Sequence, residues 1–283
     1  MSEGHHHPQA LSPIEQRVAA LEDLVGRAHA AVYGNVARRE SALGFLSRGY
    51  WRRVRERPVL LLVAALLLLV PAGLGLGWSL EDPARAGGLA PGPTRSVAEP
   101  RRPSGVDLGL SAGERAALSA YIFTNNIKVS LAAVAGGITA GLATAAALAF
   151  NGLNIGLVAG LAVSGGRTGP LVQLVVPHGV LELSCIVVAG AAGLRIGWAV
   201  VDPGRRPRTD ALTDAARAAA ELVLGTALWL VVAGLVEGLV TPLGIGVVPA
   251  LGLGVGLGAL FWGLVWWRGR PPPVLTAEPG TWP

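Results

Sequence analysis

In PHGVLEL, Pro177 to Leu183, a histidine and a carboxylate stand four residues apart among apolar neighbours. Four residues make about one helical turn, so on a helix His178 and Glu182 share a face that continues to Cys185 and Ala189. A second acid, Glu237, interrupts another apolar run, and Asn125, Asn126 and Lys128 stand at the start of a third. Such a set can relay protons, hold part of a metal shell, or clamp helices together through hydrogen bonds. One histidine and two glutamates would supply three ligands, but HxxxE is a weak pattern and the HExxH hydrolase signature is absent, so no metal or cofactor is expected. Ser184 and Cys185 adjoin the pair, yet adjacent helical residues point about 100° apart. No GxSxG elbow exists either, so the chain is not expected to be an enzyme.

These residues lie in a chain of 283, of which 52% are hydrophobic and only 14% charged, with mean hydropathy +0.52. That balance excludes a water-soluble globular domain and implies an integral membrane protein. The single cysteine, Cys185, cannot form an intrachain disulfide. The net charge of +5 comes from arginines beside apolar segments, which is a topology signal, and no nucleic-acid partner is expected. The histidines His5 to His7 carry no functional weight, and no cleavable signal peptide is expected, because the first long apolar run begins at Pro58.

A span needs about 20 apolar residues. Ser12-Pro13-Ile14-Glu15 has the form of a capping box and predicts an amphipathic helix over residues 13–32. Residues 58–80, without a charge, form the first span, and the Pro, Gly and Arg-rich residues 81–110 predict an extended loop. A helix restarts within 111–120, and a second span is predicted over 127–150. It is closed by the Asn-Gly turn signal of Asn151, Gly152 and Asn154. Residues 155–176 predict a short span or a re-entrant element, with Pro177 at a helix start or kink. Further spans follow over 178–200, 222–240 and 244–267.

The predicted architecture is all-α: a polytopic transmembrane bundle of about six spans with an N-terminal cytoplasmic amphipathic helix. Its divisions are an extension over 1–57, the first span over 58–80, an extracytoplasmic loop and helix start over 81–120, a membrane domain over 121–267, and a Pro-rich cytoplasmic tail over 268–283. Nine basic residues precede Pro58, five lie from Arg195 to Arg217 and two follow Trp267, which places both termini in the cytoplasm by the positive-inside rule. Trp262, Trp266 and Trp267 stand where interfacial aromatics often sit.

An ionisable group in hydrocarbon costs about 2.5–3.5 kcal/mol on insertion scales, so such groups face inward and find partners. The predicted helix directions put Asn125, Asn126, Lys128, His178, Glu182 and Glu237 in one polar layer in the outer half of the membrane. Glycine rows such as Gly152, Gly156 and Gly160, or Gly252 to Gly258 at alternate positions, suit close helix packing. GLGVGLG, inside an apolar helix with no following lysine, is not a phosphate loop.

Three ordered stretches carry a resemblance: NNIKVSLAAVAGGITAGLATAAALAFNGLNIGLVAG from Asn125, PHGVLELSCIVVAGAAGLRIG from Pro177, and VVAGLVEGLVTP from Val231. Together they resemble the stage II sporulation protein M family. RRESALGFLSRGYW and WSLEDPARAGGL are similar to the leading segment of its non-sporulating, actinobacterial-type branch. The resemblance implies a multipass bacterial inner-membrane protein whose sporulation member is a scaffold for cell-wall hydrolases during engulfment. Other members occur with genes for AAA-type ATPases and von Willebrand factor A-like proteins, which implies a role in envelope assembly. Asn125, Asn126, Asn151, Asn154, His178, Glu182 and Glu237 match the family's motif positions, while Ser184 and Cys185 replace a more familiar Pro-Ala. The expected function is a non-enzymatic scaffold whose partners are membrane lipids, other membrane or cell-wall proteins, and a second copy in a homodimer. A proton- or ion-coupled transporter built on the His/Glu/Asn cluster is the competing expectation.

Overall fold

The structure, a computed structural model, describes residues 44–89 and 112–270. The helix predicted over 13–32, most of the predicted loop and nearly all of the tail lie outside the described residues. Contacts divide the chain after Phe45, and the helical bundle is built from residues beyond that point.

All regular structure among the described residues is helical. Helix α1 is Tyr50–Arg55, and α2, Pro58–Glu81, starts with proline at its first position, where the missing N–H has no bond to lose. A short α3, Pro83–Leu89, stands where extended chain was expected. Then come α4, Ala112–Ala135; α5, Leu142–Ser164; α6, Thr168–Val201; α7, Arg208–Leu239; and α8, Val247–Arg268.

Helices α2, α5, α6, α7 and α8 are long and apolar enough to cross a membrane. Among the described residues that makes five such helices where about six spans were expected: α4 overlaps the start of the span predicted over 127–150, but its asparagines and Lys128 leave it less apolar than the five. The break between α4 and α5 falls at Gly136–Gly141. There a 3-10 turn precedes Ala140 and Gly141 at φ of 54° and 83°. Close packing fixes the break, because a Cβ on Gly197 would stand 2.5 Å from Gly141 N.

The predicted turn at Asn151, Gly152 and Asn154 is corrected: α5 runs through it without interruption. Gly152 is there for contact, since any Cβ on it would collide with Leu68 O of α2. Likewise α6 begins at Thr168 and passes through Pro177, so residues 155–176 form the end of one long helix and the start of the next. Bundle helices tolerate such a proline because neighbouring groups compensate the freed carbonyl.

Helix α6 is the centre, with α2, α4, α5, α7 and α8 all packed on it. Gly152, Gly156 and Gly160 of α5 meet Leu68, Ala72 and Leu76 of α2 in the same order, so these two helices run parallel. Gly254 and Gly258 of α8 approach Val176 and Val180 of α6 in the same way. At the basic end, Arg195 donates to both Glu56 oxygens at 3.0 and 3.1 Å, and Arg53 bonds Glu56 at 2.7 Å and Glu221 at 2.6 Å. Beside them Trp51, Trp229 and Phe261 stack edge to face at 5.4–5.6 Å, and Tyr50 shares a hydrogen bond with Thr226 at 3.0 Å.

Candidate functional site

Between α4, α5 and α6 lies a cavity of about 310 Å³ whose polar lining consists mainly of four asparagines and an acid: Asn125 and Asn126, Asn151 and Asn154, and Glu182. Each stands near the middle of its helix. Asn126 Nδ2 donates to Glu182 Oε2 in a short bond, joining α4 to α6. Asn125 Nδ2 reaches Asn151 Oδ1 at 3.5 Å, the long limit of a hydrogen bond. The remaining walls are mostly apolar, among them Ile122, Val129, Ile155, Val158 and Leu183.

Two polar atoms at this cavity have no protein partner: Asn151 Nδ2, on a side chain 5% exposed, and Glu182 Oε1, on a side chain 1% exposed. Glu182 carries the one carboxylate among the lining residues, and no lysine or arginine lines the cavity. The arrangement therefore presents amide donors and acceptors beside one acid on an apolar wall.

The predicted polar layer divides. Asn125, Asn126 and Glu182 line one cavity, and Asn151 and Asn154, expected in a turn, line it with them. His178 is fully buried one turn from Glu182 but does not line the cavity, and neither ring nitrogen has a hydrogen-bond partner. Glu237 is buried near the end of α7, away from this lining. Lys128 is corrected: its side chain is exposed on the outer face of α4. Two residues beyond Asn126 on a helix is about 200° of rotation, which carries Lys128 away from the bundle. Among the described residues no group of three His, Cys, Asp or Glu could hold a metal ion. Ser184 serves as a clamp, donating to Val180 O at 2.8 Å and accepting from Trp262 Nε1 at 3.0 Å. Trp262 thus points its indole N–H inward while the residue stays 36% exposed, and Trp266 and Trp267 are 62% and 61% exposed beside Arg270 and Arg268.

The part of Asn151 and Asn154 in the cavity had a sequence signal. At 3.6 residues per turn, NGLNIGLVAG sets Gly152, Gly156 and Gly160 on one face and Asn151, Asn154 and Val158 roughly opposite. The Glu56–Arg195 bridge had none, since 139 residues separate its partners.

Long apolar helices around a central helix, with a few buried polar links between them, define a multipass helical membrane protein. Within that class, the chain matches the family described as Stage II sporulation protein M over residues 102–242. An uncharacterized protein of Methanocaldococcus jannaschii is 32% identical over 126 residues, covering 43% of this chain and 69% of that protein. The chain belongs to the stage II sporulation protein M family. No solved structure matches it. The matched residues include all of α4, α5 and α6, and hence the whole cavity, whereas α2 and α8 lie outside them.

Proposed function

We propose that the protein is a non-enzymatic scaffold of the bacterial cytoplasmic membrane, with both termini cytoplasmic, on which envelope or cell-wall proteins assemble. One observation supports this most: the helices flanking the family region, α2 and α8, turn most of their apolar length outward, with Leu66 51% and Val255 61% exposed. Inside, side-chain bonds such as Asn126 to Glu182 and Trp262 to Ser184 tie the bundle together, as a rigid platform requires. A photoreactive amino acid placed at Leu66 or Val255 in native membranes tests the proposal. Crosslinks to envelope proteins or to a second copy are expected; lipid adducts alone from both positions would refute the scaffold.

A proton- or ion-coupled transporter is the second function with an observation in its favour, the convergence of Glu182 with four asparagines on a cavity inside the bundle. Intramembrane acids often mark ion paths. This function predicts that Glu182→Gln folds normally yet abolishes ion-linked flux in vesicles, and unchanged flux would exclude it.

A further inference from the structure

The cavity between α4, α5 and α6 has the properties of a ligand site that the scaffold leaves unassigned and the transporter would give to an ion. Its volume of about 310 Å³ falls at the lower end of small-molecule pockets. At roughly 30 Å³ per water-sized group it holds about ten of them. A bare cation would leave most of it unfilled. Its rim is open on the outer surface of the bundle, where Phe150 is 69% and Tyr121 37% exposed. A molecule that arrives sideways from the bilayer meets apolar wall first and amides behind it.

The polar groups narrow the chemistry. Asn151 Nδ2 offers an unused donor and Glu182 Oε1 an unused oxygen, both buried, and a buried polar group without a partner costs about 1–3 kcal/mol. Asn154, half-buried on the same face as Asn151, adds a further amide. A phosphate headgroup is disfavoured, because the lining holds a carboxylate and no cation. A hydroxyl or amide group, which can donate to Glu182 Oε1 and accept from Asn151 Nδ2, complements this set, and an ester carbonyl adds a further acceptor. We propose that the cavity binds the neutral headgroup region of an uncharged membrane amphiphile, such as a diacylglycerol, whose chains remain among the apolar walls and the bilayer. The site stands on its own geometry and holds whether or not the protein is a scaffold.

A diacylglycerol with a diazirine in one acyl chain tests this, with full-length protein in vesicles of phosphatidylethanolamine and phosphatidylglycerol. Photolabelling is expected on residues of α4, α5 and α6 that line the cavity, and excess unlabelled diacylglycerol should suppress it. A matching diazirine phosphatidylglycerol should label those residues at least fivefold less. Asn151→Leu and the milder Asn154→Ala should each reduce diacylglycerol labelling about fivefold or more, and Ile155→Trp, which fills the wall, should abolish it. Monodisperse elution in detergent identifies the variants that fold. Labelling unchanged in folded Asn154→Ala and Ile155→Trp would overturn the proposal, as would equal labelling by the anionic probe. Labelling lost to sodium in place of competing lipid would reassign the site to a cation and overturn it as well.

Discussion

Helix α5 has two faces that solve opposite problems. On one, Gly152, Gly156 and Gly160 bring its backbone against α2 so closely that a Cβ on Gly152 would stand 2.9 Å from Leu68 C, and one on Gly156 2.8 Å from Ala72 C. On the other, Asn151 and Asn154 face a cavity in which one buried amide, Asn151 Nδ2, and one carboxylate oxygen, Glu182 Oε1, remain unused. Within lipid, helices gain little by hiding apolar surface, so close packing and hydrogen bonds must hold them. The glycine face depends mainly on backbone packing, helped at one end by Ser79 donating to Leu157 O at 3.1 Å and Ser164 to Ser79 O at 3.2 Å, and leaves no space. The amide face depends on polar pairing, which fixes α4 against α6 and keeps a space beside the pair. One ten-residue stretch therefore closes the bundle on one side and opens it on the other.

The contrast is tested most severely on the closed face. Gly156→Leu should cost about 3 kcal/mol or more, since overpacking here must move backbone on backbone. A fall in the detergent thermal midpoint would show it; an unchanged midpoint would mean that α2 and α5 are not held by this seam. On the open face, Asn126→Ala should cost about 2 kcal/mol, because it strips the partner from a buried acid. The double change Asn126→Leu with Glu182→Leu should cost less than that single one, and a larger cost would show that the pair does more than satisfy itself.

A glycine with no contact sharpens the comparison. Gly256 of α8 has open space where its Cβ would be, so Gly256→Ala should stabilise by about 0.5–1 kcal/mol. Gly254→Ala, two residues away, would meet Val176 C at 2.9 Å and should destabilise. The smallest effect belongs to a polar link outside the membrane spans. Burial pushes the Glu56 carboxyl up, but Arg195 and Arg53 outweigh it and hold it at about 2 against an ordinary 4.5. A depressed folded value contributes stability above the ordinary value, and this is lost as pH falls from 4.5 towards 2. After solvent screening it amounts to about 1 kcal/mol or less. Glu56→Gln should flatten that acid limb in a pH series of thermal midpoints and leave the glycine and amide variants unaffected.

The sequence reveals the helices well and their ends poorly. Residues 129–164 are continuously uncharged, so hydropathy offers no boundary there and an Asn-Gly pair becomes the best available punctuation. The actual break at Gly136–Gly141 depends on Gly193 and Gly197 of α6 coming too near for side chains, a contact between segments that local pattern cannot show. In the site, the link between Asn126 and Glu182 was legible because buried acids in lipid require a partner. Lys128 does not join the layer: it is close in sequence to Asn125 and Asn126, but the helical angle turns it outward.

The length of α6 changes how Arg195 should be regarded. Gly258 of α8 stands opposite Val180 of α6, so parallel helices rising 1.5 Å per residue bring Arg268 level with about residue 190. Beyond that level α6 continues to Val201, a further distance of about 16 Å. If the exposed Trp266 and Trp267 mark the membrane's margin, this last portion is a post standing in the headgroup layer and the water beyond. Arg195 is then a brace on the post, with Glu56 as its strut, and carries none of the penalty of a charge in oil.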